Sequence, residues 1–133
     1  MGSFKDLKAW QRSMDLVEAV YKATSAFPAE ERYALANQMR RSSISITSNI
    51  AEGYGRGTDK ELIHFLYMAR GSSNELCAQI DLSKRLSYIN DDVFSMLDTL
   101  NMEINKMLSS LIYRRLNGMD SFIRSETELA DKT

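Results

Sequence analysis

Glu61-Leu62-Ile63-His64 has the spacing closest to a metal signature in this 133-residue sequence. A Glu-x-x-His segment sets two ligands on one helix face, and di-iron four-helix bundles use two such segments. His64 is the sole histidine, so the second ligand set is missing, and a surface or capping role competes with ligation. One cysteine and one histidine are likewise too few soft ligands for zinc. A Ser-His-Asp arrangement is arithmetically open, yet no strained Gly-x-Ser-x-Gly elbow offers a nucleophile. Cys77, beside Leu76 and near Ile80, reads as a half-buried small hydrophobe more than an activated thiol. The expectation is a protein without catalytic residues, metal or cofactor.

Anion chemistry has better carriers. Gly53-Tyr54-Gly55-Arg56-Gly57 leads into the start of a helix, where free N–H groups and the helix dipole can hold a phosphate with Arg56 adding charge. Its spacing is that of no P-loop or dinucleotide fingerprint, and a plain helix cap followed by a turn is the competing reading. Arg40 and Arg41, with Arg32 one or two turns earlier, can form a basic stripe along a phosphate backbone, or can instead pair with Glu30, Glu31 or a partner helix. Lys60 adds a cation just beyond the glycine loop. The nucleic-acid or anion candidates are therefore Arg40, Arg41, Arg56 and Lys60. Arg70, between Glu61 and Glu75 on one helix, is expected to anchor an ion pair at the core edge.

These residues must be positioned by helices. One proline and six glycines are too few turn signals for a sandwich or barrel of short strands. Leu7, Trp10, Met14, Val17 and Tyr21 recur in steps of three and four, predicting a first helix over about 5–26 whose stripe is widened by Leu16 and Val20. Phe27-Pro28 interrupts it. A second helix over about 31–52 turns Leu35, Met39, Ser42, Ile46 and Asn49 or Ile50 inward. Its Ser42, Ser43, Ser45, Thr47 and Ser48 permit close approach of a neighbour and can bond back to carbonyls. Gly53 to Gly57 is expected to end it in left-handed glycine geometry.

Thr58-Asp59-Lys60-Glu61 has the form of a capping box opening a third helix over about 59–87, with Leu62, Leu66, Ala69, Ser73, Leu76, Ile80 and Ser83 on its seam. Asn90 caps a fourth, about 91–117, along Val93, Leu97, Leu100, Ile104, Met107 and Leu111, with Gly118 as its stop. Four long helices on short connections predict an all-α, antiparallel up-down-up-down four-helix bundle over 1–118. Residues 119–133 are expected to be a polar, mobile tail, with Phe122 and Ile123 its only apolar reason to dock.

Composition limits the function classes. Forty-four per cent apolar and 26% charged residues are globular values, and 17 basic against 18 acidic side chains give a net charge of −1. The overall balance thus favours neither nucleic acid nor an anionic membrane. No apolar run approaches the roughly 18 residues of a transmembrane helix, and the first residues form neither a signal peptide nor a myristoylation pattern. The single cysteine cannot close an intrachain disulfide, which with the missing leader points to the cytoplasm.

Phe4-Lys5-Asp6-Leu7-Lys8-Ala9-Trp10-Gln11, Phe27-Pro28 with Glu31-Arg32-Tyr33, and Gln38-Met39-Arg40-Arg41 form one set of linked motifs. Ser48-Asn49-Ile50-Ala51-Glu52-Gly53-Tyr54-Gly55-Arg56-Gly57, then Phe65-Leu66 with Ala69-Arg70-Gly71-Ser72, continue it. Together, over residues 4 to about 90, they resemble the four-helix bundle proteins encoded in intervening sequences of bacterial 23S rRNA genes, often labelled S23 ribosomal proteins. The fourth helix resembles the family in pattern only. The resemblance marks Asn49, Glu52, Gly53, Tyr54, Gly55, Gly57 and Arg70 as a structural motif and brings no catalytic residues. Thr47 stands where relatives commonly carry proline, which implies a straighter second helix.

The family is similar in fold to the accessory variability protein of diversity-generating retroelements, which implies a homopentamer. The function expected is a non-catalytic oligomeric bundle acting as a nucleic-acid-binding scaffold. A protein–protein adaptor without nucleic-acid binding is the alternative, and a metal-dependent enzyme using Glu61 and His64 the remote one.

Overall fold

The computed structural model describes residues 2–118, and the expected tail at 119–133 lies outside the described residues. A single 3₁₀ turn, Phe4–Asp6, comes first, closed by a capping box in which Ser3 and Asp6 satisfy each other's backbone donors. Helix α1 (Lys8–Thr24) therefore begins three residues later than the periodicity predicts, with Leu7 extended between the two. Phe4 holds the turn down by packing edge-on against Trp10, with ring centroids 5.2 Å apart.

A second 3₁₀ turn, Ala29–Glu31, follows Pro28, and α2 spans Leu35–Tyr54. The start expected at 31 moves to 35 because the Glu31 side chain is used elsewhere. Its Oε1 accepts the Leu35 N–H and its Oε2 accepts the Tyr88 hydroxyl at 2.7 Å, so it caps α2 from outside. Helix α3 covers Asp59–Arg85 and α4 covers Asp91–Leu116. Thr58 Oγ1 accepts the Glu61 N–H, but the Glu61 carboxylate accepts the Thr58 hydroxyl and not its backbone N–H, so half of the expected capping box forms. Asn90 caps α4 by accepting the Val93 N–H, as expected.

The bundle is all-α among the described residues, and its directions follow from pairs of touching side chains. Ser45 meets Ser72 and Met39 meets Ser83, so α2 and α3 are antiparallel. Asp59 meets Arg115 and Lys84 meets Asp91, so α3 and α4 are too. Arg12 meets Glu103, while the Leu7–Ala9 end of α1 lies by Met107 and Leu111 of α4, closing the up-down-up-down ring.

The core runs through Leu16, Val20, Met39, Ile46, Ile50, Leu62, Leu66, Leu76, Ile80, Leu97, Ile104 and Leu108, all fully buried. Every seam residue expected on α3 is buried. On α1 the face is rotated from the expected one. Ala9, Ser13, Leu16, Val20 and Thr24 are buried, whereas Met14 and Tyr21 stay exposed. On α4 the seam drifts after Ile104 from the expected Met107 and Leu111 to Leu108, Ile112 and Arg115.

One predicted turn is corrected. The backbone of Gly55, which caps α2, has φ −87°, so no left-handed glycine ends that helix. The left-handed residue stands instead at Ser87, φ 63°, after α3. There the Tyr88 N–H bonds Ser83 O and the Ser87 N–H bonds Lys84 O, a Schellman closure of the helix end. Gly118 also has positive φ, 66°, directly after α4, where a stop was expected.

Candidate functional site

The polar seam of α2 does what small hydroxyl residues allow. Ser43 and Thr47 donate to the carbonyls of Arg40 and Ile44 in their own helix. Helix α2 runs unbroken through Thr47. Ser42 donates across to Glu75 at 3.1 Å, and Ser72 donates to Ser45 Oγ at 2.9 Å. Asn49 Nδ2 joins that chain by donating to both the carbonyl and the hydroxyl of Ser45. Between α3 and α4 the buried Ser73 and Asn101 exchange hydrogen bonds, Ser73 Oγ donating to Asn101 Oδ1 and Asn101 Nδ2 to Ser73 O. Asn105 adds a third bond by donating to Ser73 Oγ.

The glycine motif is a packing device. Gly53 lies inside α2 and is buried, and a Cβ there would sit 2.9 Å from Phe65 Cβ and 3.0 Å from Leu62 Cδ1. Close approach of α2 to α3, rather than a turn, requires this glycine. Gly57 has open space around it, and Tyr54 packs against the core. Glu52 pairs with Arg56 at 2.9 Å, and the Arg56 guanidinium lies 4.9 Å from the centre of the Phe65 ring. Much of the charge that Arg56 would bring to a phosphate is thereby offset.

The four cation candidates do not form one stripe. Arg40 and Arg41 are neighbours on α2 and so point about 100° apart around its axis. Arg40 turns to α1, its Nε donating to Thr24 Oγ1 at 2.9 Å and its guanidinium 4.5 Å from the Tyr21 ring centre. Arg41 is exposed on the α2–α3 side, in a cleft shared with Ser42, Ser45 and Glu75. Arg56 and Lys60 lie at the other end of the bundle, about 24 Å along the axis from Arg40 at 1.5 Å per residue. Arg32 falls in the turn before α2, so it is not on that helix as expected.

Arg70 is also corrected. It donates to Ser109 Oγ at 3.3 Å and lies over the Tyr67 ring, with no ion pair to Glu61 or Glu75. An ion pair at the core edge is made instead by Arg115, whose side chain has 0% exposure and donates at 2.8 Å to Oδ1 of the half-exposed Asp59. The sequence reasoning missed it, although the signal was present. Arg115 stands three residues after Ile112, on the same seam.

Glu61 stays by Thr58, its Oε2 3.3 Å from Thr58 Oγ1, and the exposed His64 ring packs edge-on against Phe65. Among the described residues no group of three or more His, Cys, Asp or Glu side chains could hold a metal ion. The Cys77 thiol is pushed above the ordinary thiol range, first by burial and then by Asp81 and Asp98. That shift makes it a poor nucleophile. No helix among the described residues is long and apolar enough to cross a membrane.

Architecture and side chains together define a four-helix bundle with a polar seam between its second and third helices. The chain belongs to the 23S rRNA-intervening sequence protein family, whose profile matches residues 5–110 and so reaches well into α4. A crystal structure from Bacteroides thetaiotaomicron, of a protein with unknown function from the S23 ribosomal protein family, is similar with a TM-score of 0.71. The two are 25% identical, and the match covers 78% of this chain and 97% of the other. No curated protein matches. Nothing in these likenesses points to catalysis.

Proposed function

We propose that this protein is a non-catalytic scaffold that self-associates through its α1–α4 face, as a homopentamer, and binds RNA or DNA. The α1–α4 groove carries the reading. At one end Ala19, Ala23, Ala26, Val93 and Met96 line a mainly apolar cleft of about 410 Å³. At the other, Leu7, Ala9, Met107 and Leu111 line a second of about 330 Å³. Arg12 and Glu103 form an ion pair between them at 2.9 Å. A mainly apolar surface, crossed by one ion pair and edged by Lys8 and Lys22, is the composition of a subunit contact, with Met96 left half-exposed. The subunit number rests on the family's likeness to the accessory variability protein. Of the cations offered to phosphate, Arg40, Arg41 and Lys60 have no carboxylate partner among the described residues, while Arg56 is weakened by its pair with Glu52. Each is weak alone and multiplied around a ring. The cytoplasm is the compartment this reading assigns, and the free Cys77 supports it.

Absolute mass by light scattering, at low and moderate salt and with or without a short RNA, tests both halves. The expected result is a particle five times the 15.2 kDa of one chain that gains RNA mass only at low salt. Met96→Lys should reduce that particle to monomers without unfolding them. A wild-type monomer would refute the assembly, and an oligomer that ignores RNA at every salt concentration would leave an adaptor between proteins.

A further inference from the structure

We propose that the corner between α1 and α2 binds single-stranded nucleic acid, the Arg32–Arg40 cleft taking a backbone phosphate and the exposed ring of Tyr33, next to Arg32 in the chain, stacking on a base. The proposal rests on the nucleic-acid half of the function above and gives it a place and a ligand form. Thr24, Ser25, Phe27, Pro28, Arg32 and Arg40 line a cleft of about 270 Å³, and no carboxylate lines it. Arg40 is held there before any ligand arrives, by its bond to Thr24 Oγ1 and its contact with the Tyr21 ring. Thr24 is itself fixed, donating to Val20 O at 2.7 Å. The hydroxyls of Thr24 and Ser25 donate to carbonyls of α1, so the pre-positioned guanidinium is the group suited to phosphate oxygens.

Neither of the carboxylates just before Arg32 in the chain, Glu30 and Glu31, pairs with it. Glu31 accepts from Leu35 N and from the Tyr88 hydroxyl, so both its oxygens serve the fold. Neither Arg32 nor Arg40 forms an ion pair among the described residues. The next side chain, Tyr33, is 86% exposed, the most exposed of the large apolar side chains described. A ring so far out of the core contributes little to folding, and next in the chain to Arg32 it offers a stacking platform. Bases in a duplex are already stacked, so such a platform selects an unpaired strand.

Fluorescence anisotropy with the full chain and a short labelled oligonucleotide tests the site, using RNA and DNA single strands of one sequence and the corresponding duplexes. Tyr33→Ala should weaken single-strand binding by at least about fivefold and leave duplex binding as it was. Tyr33→Phe should restore most of the loss. Arg32→Gln should weaken binding and flatten its salt dependence by about one phosphate contact. Lys106→Gln, exposed on α4, is the control and should bind like the wild type. Wild-type affinity in Tyr33→Ala or Arg32→Gln would overturn the assignment while leaving nucleic-acid binding in place. Failure of the wild type to bind any of the oligonucleotides would overturn both.

Discussion

Adding one methyl group to either of two helical glycines should change stability in opposite directions. Gly53 and Gly71 both lie within helices and both have negative φ, so alanine at either gains about 1 kcal/mol of helix propensity. At Gly71 the added Cβ meets nothing within 4 Å, and that gain should appear nearly whole, as about 0.5–1 kcal/mol of extra stability. At Gly53 the same Cβ would come within 2.9 Å of Phe65 Cβ. A Cβ is rooted to its backbone and cannot swing aside, and Leu62, the other neighbour, is fully buried. Helices α2 and α3 must therefore separate, at an overpacking cost of about 1–3 kcal/mol. Net destabilisation of about 1 kcal/mol follows for Gly53→Ala, and a gap of about 2 kcal/mol between the variants. Because the propensity gain is common to both, the gap isolates the steric contact. Urea unfolding followed by helical circular dichroism, at one protein concentration, reads it directly. A Gly53→Ala protein as stable as Gly71→Ala would refute the claim that glycine sets the α2–α3 distance.

Two further outcomes follow from the turn between α3 and α4. The Tyr88 hydroxyl is pushed above the ordinary tyrosine value, first by its bond to Glu31, then by burial and the charge of Glu31. Above about pH 10 the unfolded chain loses this proton while the folded chain keeps it, so the unfolded state binds fewer protons and stability falls as pH rises. The contribution is complete below pH about 10 and lost through the raised folded value, so thermal melts between pH 9 and 11 should fall more steeply for wild type than for Tyr88→Phe. Equal slopes would show that the bond to Glu31 does not persist in solution. Ser87, held at φ 63°, carries a left-handed cost that glycine lacks, so Ser87→Gly should gain about 0.5–1 kcal/mol in the same unfolding assay. A loss there would mean that chain entropy outweighs the relieved strain.

How far the sequence disclosed the fold differs from helix to helix, for physical reasons. The seam of α3 was legible residue by residue because that helix packs more closely against both its neighbours, α2 and α4, than α1 does against its own, so its pattern of large and small residues is strict. Helix α1 misled because a search by hydrophobicity weights Met14 and Tyr21 above Ala9, Ser13 and Thr24. Small residues were buried there because they let the helices approach, which an apolar count does not register. On α4 a strict three-four beat drifts by about 20° per heptad from a straight helix, and over its length Leu108 and Ile112 replace Met107 and Leu111 in the core. The glycine motif was recognisable as a motif, but its purpose depended on Phe65 and Leu62, which only the packed structure places beside it.

The same logic explains why the candidate site was the least legible part. Most charged residues singled out by spacing are absorbed by neighbours that spacing cannot reveal: Arg56 by Glu52 and Phe65, Arg70 by Ser109 and Tyr67, and Glu61 by Thr58. A functional surface is what this accounting leaves over, and its strongest mark is a residue the fold does not need where it stands. Tyr33 is such a residue, an aromatic ring almost wholly in water, next in the chain to an arginine that lines a cleft without a carboxylate. Glu31 links the two roles. By capping α2 and holding Tyr88 it delays the start of the helix, and that delay is why Arg32 and Tyr33 sit in a turn at the bundle's corner instead of on its side. Glu31→Ala should therefore disturb stability and the corner together, whereas Tyr33→Ala should disturb the corner alone.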